Sequence, residues 1–308
     1  MIGWMILLMA LPAIGAEDKA PAPYMGQEPP GLTPKVFAPG LISLPHRGER
    51  DICFSKDWRE CYFTIHTPTW TVKTIMVTRY ENGHWTEPTQ ASFANNASSC
   101  PSLADNDQSM YFCRDRHIWS VHRITQGWSQ PEAVPAPISS SQADWSCHIS
   151  SLGNAWICSW REGGAGECDL WRVLSVNGQF TETMNLRSLN TSASDCGPVP
   201  GPNENYVIWQ SNRPGGFGSV DLYISLADGK GGWTPPRNMG PAINTPGIEA
   251  APTLSSDFRY LFFSRCSTPR EGAEEADIYW VRVEAFLSDP NEPASGLRQT
   301  PDRVERSK

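Results

Sequence analysis

Pro252-Thr-Leu-Ser-Ser-Asp-Phe-Arg-Tyr-Leu-Phe-Phe263 decides the fold, because its form returns four more times along the chain. It reads as a short strand, a tight polar turn at Ser255-Ser-Asp257, and an apolar strand, which together make a β-hairpin. Ile52-Cys-Phe-Ser-Lys-Asp-Trp-Arg-Glu-Cys-Tyr-Phe63, Pro101 to Phe112, Cys147 to Cys158 and the looser Pro198 to Trp209 superpose on it. The starting points 52, 101, 147, 198 and 252 are separated by 49, 46, 51 and 54 positions. A period near fifty residues is the signature of a propeller or solenoid.

Each hairpin is followed by a third strand: Ile75-Met-Val-Thr78, Ile118-Trp-Ser-Val121, Leu170-Trp-Arg-Val173, Leu222-Tyr-Ile-Ser225 and Ile278-Tyr-Trp-Val281. After four of these comes a glycine turn with an aromatic anchor, Trp85, Trp128, Phe180 or Trp233, opening an outer strand whose edge position tolerates proline. Four strands per repeat make a propeller blade. The anchors recur once per blade, which assigns them to packing between blades rather than to sugar stacking. The fifth repeat lacks an outer strand of its own. Pro34-Lys-Val-Phe37-Ala-Pro-Gly-Leu-Ile42 has the matching form ahead of the first hairpin, so residues 35–43 are expected to complete blade five and remove an open sheet edge. The reading is an all-β chain with one β-propeller of five blades, closed by an N-terminal strand.

Composition agrees. In 308 residues, 25 Gly, 27 Pro and 13 Trp interrupt the chain too often for long helices. Met1–Ala16 is uncharged, with the apolar run Trp4 to Leu11 followed by small residues, and reads as a secretory signal peptide. The expected organisation is signal peptide 1–16, linker 17–33, propeller 34–284 and polar tail 285–308. Export places the mature protein in the periplasm or outside the cell, with no membrane span after cleavage and a monomeric state expected. A net charge of −8 repels phosphate backbones, which excludes nucleic acid as a partner class.

Asn244-Thr-Pro-Gly-Ile-Glu-Ala-Ala-Pro-Thr-Leu-Ser-Ser-Asp-Phe-Arg-Tyr-Leu-Phe-Phe-Ser264 and Ser211-Asn-Arg-Pro-Gly-Gly-Phe-Gly-Ser-Val-Asp-Leu-Tyr223 resemble the WD40-like (PD40) propeller repeat of the translocation protein TolB. The resemblance covers about residues 34–284 and is weakest in repeats one and two, which lack a Gly-Gly-x-Gly loop. It implies a binding platform and brings no catalytic residues. Rings of that family are often six-bladed, against five repeats here.

In register, Glu49, Asp144, Asp195 and Glu249 fall on one equivalent position ahead of the inner strand, with Ser98 in the fifth place. Inner strands line a propeller's channel, so these carboxylates are candidates for a ring at one mouth. Clustered oxygen ligands suit hard cations such as calcium; alternatively each carboxylate hydrogen-bonds its own loop. Asp169, Asp221 and Asp277 recur before the third strand, where an Asp side chain braces a glycine-rich loop.

All nine cysteines lie beyond the signal region, and an oxidising compartment makes disulfides the first reading. Hairpin register sets Cys100 opposite Cys113 and Cys147 opposite Cys158, with Cys53 and Cys61 a looser pair. Cys168 and Cys196 should emerge on one face and pair, leaving Cys266. No Cys-x-x-Cys spacing points to a metal site. Nucleophile-elbow, zinc-helix and phosphate-loop motifs are absent from the sequence. The expected function is a non-catalytic binding or scaffold module for a protein, peptide or envelope glycan. The alternative is a glycan-active enzyme using the channel-mouth carboxylates, which requires two of them in an open cleft roughly 5–10 Å apart.

Overall fold

The computed structural model describes residues 20–104, 107–266 and 275–287. The segment read as a signal peptide lies outside these residues, as does the tail beyond 287. Among the described residues, no helix is long and apolar enough to cross a membrane.

Five antiparallel sheets, one per repeat, form a five-bladed propeller. In blade one the three long strands are Gly48–Phe54, Glu60–His66 and Lys73–Glu81. Blade two has Ser98–Leu103, Ser109–Arg114 and His117–Ile124; blade three has Asp144–Ile149, Ala155–Ser159 and Asp169–Val176. Blade four has Asp195–Pro200, Tyr206–Ser211 and Asp221–Leu226; blade five has Ile248–Leu254, Tyr260–Cys266 and Asp277–Arg282. The outer strands are less regular. Blade three has a full one, Gln179–Asn185, and blade four keeps only Arg237–Asn238. In blades one and two the outer edge is split into His84–Trp85 with Thr89–Gln90 and Gly127–Trp128 with Glu132–Ala133. Pro88 and Pro131 stand in these gaps, and a proline donates no ladder hydrogen bond.

The N-terminal segment closes the ring on blade five, but over a shorter stretch than residues 35–43. Lys35 and Val36 pair with Trp280 and Tyr279, and the Phe37 amide donates to the Ile278 carbonyl at 2.7 Å. Beyond Phe37 the chain turns at Ala38 (φ 44°), and Pro39 ends the pairing. The Phe37 ring plugs the seam between blades five and one, edge-on to Phe54, Phe262 and Trp280 at 5.1–5.7 Å. Upstream, Tyr24 packs on Trp58, Tyr260 and Trp280 and donates to Asp257 at 2.5 Å, so part of the expected linker is docked on the ring.

The core consists of apolar layers between neighbouring blades. Each fills from the strands that flank it, as with Tyr62, Ile75, Phe93 and Phe112 between blades one and two. The aromatic anchors belong to these layers. Trp128 is buried and donates to the Tyr62 hydroxyl at 2.9 Å, and Trp233 meets Trp156 edge-on at 5.6 Å.

Candidate functional site

Every inner strand carries a β-bulge at the same place. Register slips between Arg50 and Cys53, Ser99 and Ser102, Asp144 and Cys147, Cys196 and Val199, and Ala250 and Thr253. Asp51, Cys100, Gly197 and Ala251 take positive φ within it, at 52–65°. An extra residue bends the strand and re-aims one side chain. The re-aimed positions, Asp51, Cys100, Ser146, Gly197 and Ala251, all line one cavity of about 220 Å³ at the start of the inner strands. A second cavity of about 110 Å³ lies at the opposite end, lined from all five blades by residues such as Phe54, Leu103, Ile149, Val199 and Leu254. His148 borders both, which places it at the neck of the channel. Its Nδ1 stands 3.2 Å from the Ser102 hydroxyl, and burial pulls the imidazole down to about 4, against the opposing pull of Asp51.

The carboxylates at the equivalent position of the repeat do not line this channel cavity. Glu49, Asp144, Asp195 and Glu249 are each 0 % exposed, and each is held by an arginine. Arg161 Nη2 lies 2.9 Å from Asp144, Arg213 Nη2 2.5 Å from Asp195 and Arg265 Nε 3.0 Å from Glu249. The same guanidinium groups donate to the carbonyls of Ile138, Leu189 and Ile243 in the preceding loops. Backbone amides of Ser140, Thr191 and Thr245 complete the three carboxylates at 2.7–2.8 Å. Blade two repeats the design without the acid, since Arg114 reaches Ser98 and the Phe93 carbonyl. Blade one has Ile65 opposite Glu49, so its arginine comes from the other side, as Arg47. That brace is incomplete: Glu49 Oε2 is buried without a partner, and burial, outweighing Arg47, raises the carboxyl to about 7. Apart from Glu49 Oε2, the oxygens of the four carboxylates are engaged inside the blades, and all four groups are buried away from the mouth.

Asp169 accepts from the amides of Ala165 and Gly166, and Asp221 from those of Phe217 and Gly218. The Gly-Gly-x-Gly loops follow from this. Gly163 and Gly215 sit at φ +89°, and a Cβ on Gly164 or Gly216 would meet the aspartate at 2.7 or 2.3 Å. On Gly218 it would meet the Gly247 carbonyl of the next blade at 2.2 Å. The loop ahead of Asp277, residues 267–274, lies outside the described residues.

None of the expected hairpin cysteine pairs stands at disulfide distance. For Cys100 the bulge is the reason, because the extra residue takes it out of the register that Ser102 keeps with Tyr111. Cys147 and Cys53 lie beyond their bulges, where the hairpin turn sets their partners. Cys113 lies opposite Ser99 rather than Cys100, Cys147 opposite Ile157, and Cys61 opposite Phe54 rather than Cys53. Burial pushes the Cys53 and Cys113 thiols up to about 12. Cys168 and Cys196 do come together, their sulfurs 2.9 Å apart, and Cys158 joins them.

Around the wider mouth stand three tryptophans that the repeat does not flag. Trp145 and Trp160 line the cavity with Arg50 and Asp51, their rings 6.2 Å apart. Lys73 Nζ lies 4.3 Å above Trp145, Arg116 5.6 Å above Trp160, and Arg50 5.1 Å above Trp70. Arg50 also pairs with Asp51 at 3.0 Å. Asp51 is the single carboxylate lining this mouth among the described residues, and Asp107 the single one at the other.

No known family profile matches the chain, and no curated protein matches it in sequence. Solved structures do match in fold. A thermostable family-43 glycoside hydrolase aligns over 86 % of this chain and 98 % of its own, at 12 % identity and TM-score 0.51. An α-L-arabinofuranosidase from Lactobacillus brevis aligns over 78 % and 91 %, at 12 % identity and TM-score 0.51. A putative TolB from Agrobacterium tumefaciens aligns over 70 % and 69 %, at 12 % identity and TM-score 0.45. At these identities the likeness is one of fold.

Proposed function

We propose that the protein is an exported, non-catalytic binding propeller that holds its ligand at the mouth bounded by Arg50, Trp145 and Trp160. The observation that supports this reading is the composition of that mouth: cations stacked on tryptophan rings around a cavity lined by one carboxylate. Flat aromatic faces and fixed guanidinium groups recognise an extended ligand with an acidic group, such as an envelope peptide or an acidic glycan. Glycoside hydrolysis instead uses two carboxyl groups across the scissile bond, roughly 5–9.5 Å apart. Among the described residues Asp51 has no such companion at its mouth, and the four repeat carboxylates are engaged by arginines. The periplasm or the extracellular space is the proposed location, on the strength of the apolar run in Met1–Ala16.

Binding of immobilised mature protein to arrays of peptides and of envelope glycans, neutral and acidic, tests the proposal. Acidic ligands should bind, and Trp145→Ala should weaken them about tenfold or more, in line with loss of an aromatic anchor. Hydrolysis of aryl arabinosides or xylosides by the wild type, lost in Asp51→Asn, would overturn it in favour of a glycan-active enzyme.

A further inference from the structure

At each seam of the ring, a side chain on the second strand of one blade reaches the inner strand of the next. Thr64 Oγ1 accepts from the Cys100 amide at 3.0 Å, and Gln210 Oε1 from the Ala251 amide at 2.7 Å. Ser264 donates to the Glu49 carbonyl at 2.7 Å, and the Cys113 thiol to the Asp144 carbonyl at 3.8 Å. Between blades three and four the reaching residue is Cys158, and its reach ends on sulfur. Cys158 Sγ is 2.9 Å from Cys196 Sγ, which is 2.9 Å from Cys168 Sγ on its other side. All three sulfurs lie within 4.8 Å of one another.

We infer that Cys158, Cys168 and Cys196 form a three-thiolate site for a soft, thiophilic metal ion of the copper(I) or zinc class. The three ligands come from three separate pieces of backbone: a second strand, the loop ahead of Asp169, and the inner strand of the next blade. Convergence of that kind needs the assembled seam and leaves no spacing motif in the sequence. An S–S bond spans about 2.05 Å, so the sulfurs are in contact and unbonded. An ion about 2.3 Å from each sulfur would spread them to roughly 4 Å, an opening of about 1 Å per contact.

The donor set decides the class of ion. The two carboxylates adjoining Cys168 and Cys196 in sequence are committed elsewhere, Asp169 to its loop and Asp195 to Arg213, Thr191 and Trp209. What remains is all sulfur, with the Ser146 hydroxyl 3.4 Å from Cys158 as the neighbouring oxygen. Thiolates select copper(I) and zinc and discriminate against calcium and magnesium. Access is through one ligand. Cys158 and Cys168 are fully buried, whereas half-buried Cys196 lines the channel cavity beside Ser146 and Gly197. An ion entering from the channel meets Cys196 first, and each thiol gives its proton to solvent as its sulfur–metal bond forms.

The reduced full-length mature chain, handled without oxygen, should take up one equivalent of copper(I) or zinc in competition with a chromophoric chelator, and no calcium. Cobalt(II) loaded in place of zinc should give an intense thiolate-to-cobalt charge-transfer band, a readout that needs no variant. Cys196→Ser should weaken binding at least tenfold and shift that band, with circular dichroism confirming that the variant is folded. Cys53→Ser, at the far mouth, should change neither. Failure of the reduced wild type to retain any of these ions would overturn the inference. So would equal retention by Cys196→Ser, or isolation of the protein with Cys196 in a disulfide that, once reduced, yields no metal uptake.

Discussion

Arg161 holds the Asp144 carboxylate at 2.9 Å while reaching the carbonyls of Pro137 and Ile138, so one guanidinium ties an inner strand to the loop that enters its blade. With Asp144 at 0 % exposure and Arg161 mostly covered, the pair is a buried one. Removing one partner of such a pair strands a charge. Arg161→Ala is expected to lower unfolding free energy by about 3–5 kcal/mol, measured by urea denaturation. Asp144→Asn, which keeps the shape and removes the charge, should lose less. Equal stability of Arg161→Ala and the wild type would show that the arginine does not hold the blade.

Two buried groups set opposite pH dependences. The Glu49 carboxyl rises from 4.5 to about 7, so between those values the folded chain keeps a proton that the unfolded chain has released. Stability from this group therefore falls as pH rises through that window and is flat above it. His148 is lowered from 6.5 to about 4, so its contribution falls as pH drops through that range. Glu49→Gln should gain stability over the wild type between pH 5 and pH 8, by at most about 3 kcal/mol, with the difference levelling off near pH 8. A constant difference across the range, read from melting temperatures, would place the Glu49 proton elsewhere.

Closure of the ring rests on a few N-terminal side chains. Phe37 is fully buried between blades five and one and touches three aromatic rings. Phe37→Ala should destabilise by about 3–5 kcal/mol. Deletion of residues 17–44 should lower the melting temperature further, because Tyr24 and the strand at Lys35 and Val36 go with it. A melting temperature unchanged by the deletion would mean that the ring closes without its clasp.

The seam between blades four and five has no room for a methyl group at Gly218. Its Cβ would fall 2.2 Å from the Gly247 carbonyl, beside the Ser219-to-Gly247 hydrogen bond of 2.9 Å. Gly218→Ala should cost about 1–3 kcal/mol, the range for overpacking. Gly31→Ala, with open space around it, serves as the control and should be neutral.

Hairpins and third strands were legible because alternation and turn residues are local signals, and the repeat carried them five times. The clasp was legible from the missing outer strand after Val283. The bulges were not, since one extra residue in a short inner strand leaves no mark in composition. That single omission misplaced Cys100 and hid the axial ring of Asp51, Cys100, Ser146, Gly197 and Ala251. Cys147 was misplaced by the turn of its own hairpin, one residue shorter than in the other blades. The arginine braces were within reach of the sequence. Arg114, Arg161, Arg213 and Arg265 stand 16, 17, 18 and 16 residues after Ser98, Asp144, Asp195 and Glu249, and extending the repeat a few residues past its second strand exposes them. Of the sulfur cluster, the nearness of Cys168 and Cys196 was legible from the repeat, whereas Cys158, read as the hairpin partner of Cys147, was not.

The bulge also separates two kinds of selection. Residues flanking it, such as Asp195 and Val199, are locked into pairing and packing, so change there is felt by the whole ring. The residue it turns toward the axis contributes little to either, and in this chain that position holds an acid, a thiol, a hydroxyl, a glycine and an alanine. Five such positions amount to a lining that can be rewritten one blade at a time while the barrel of blades around them stays the same.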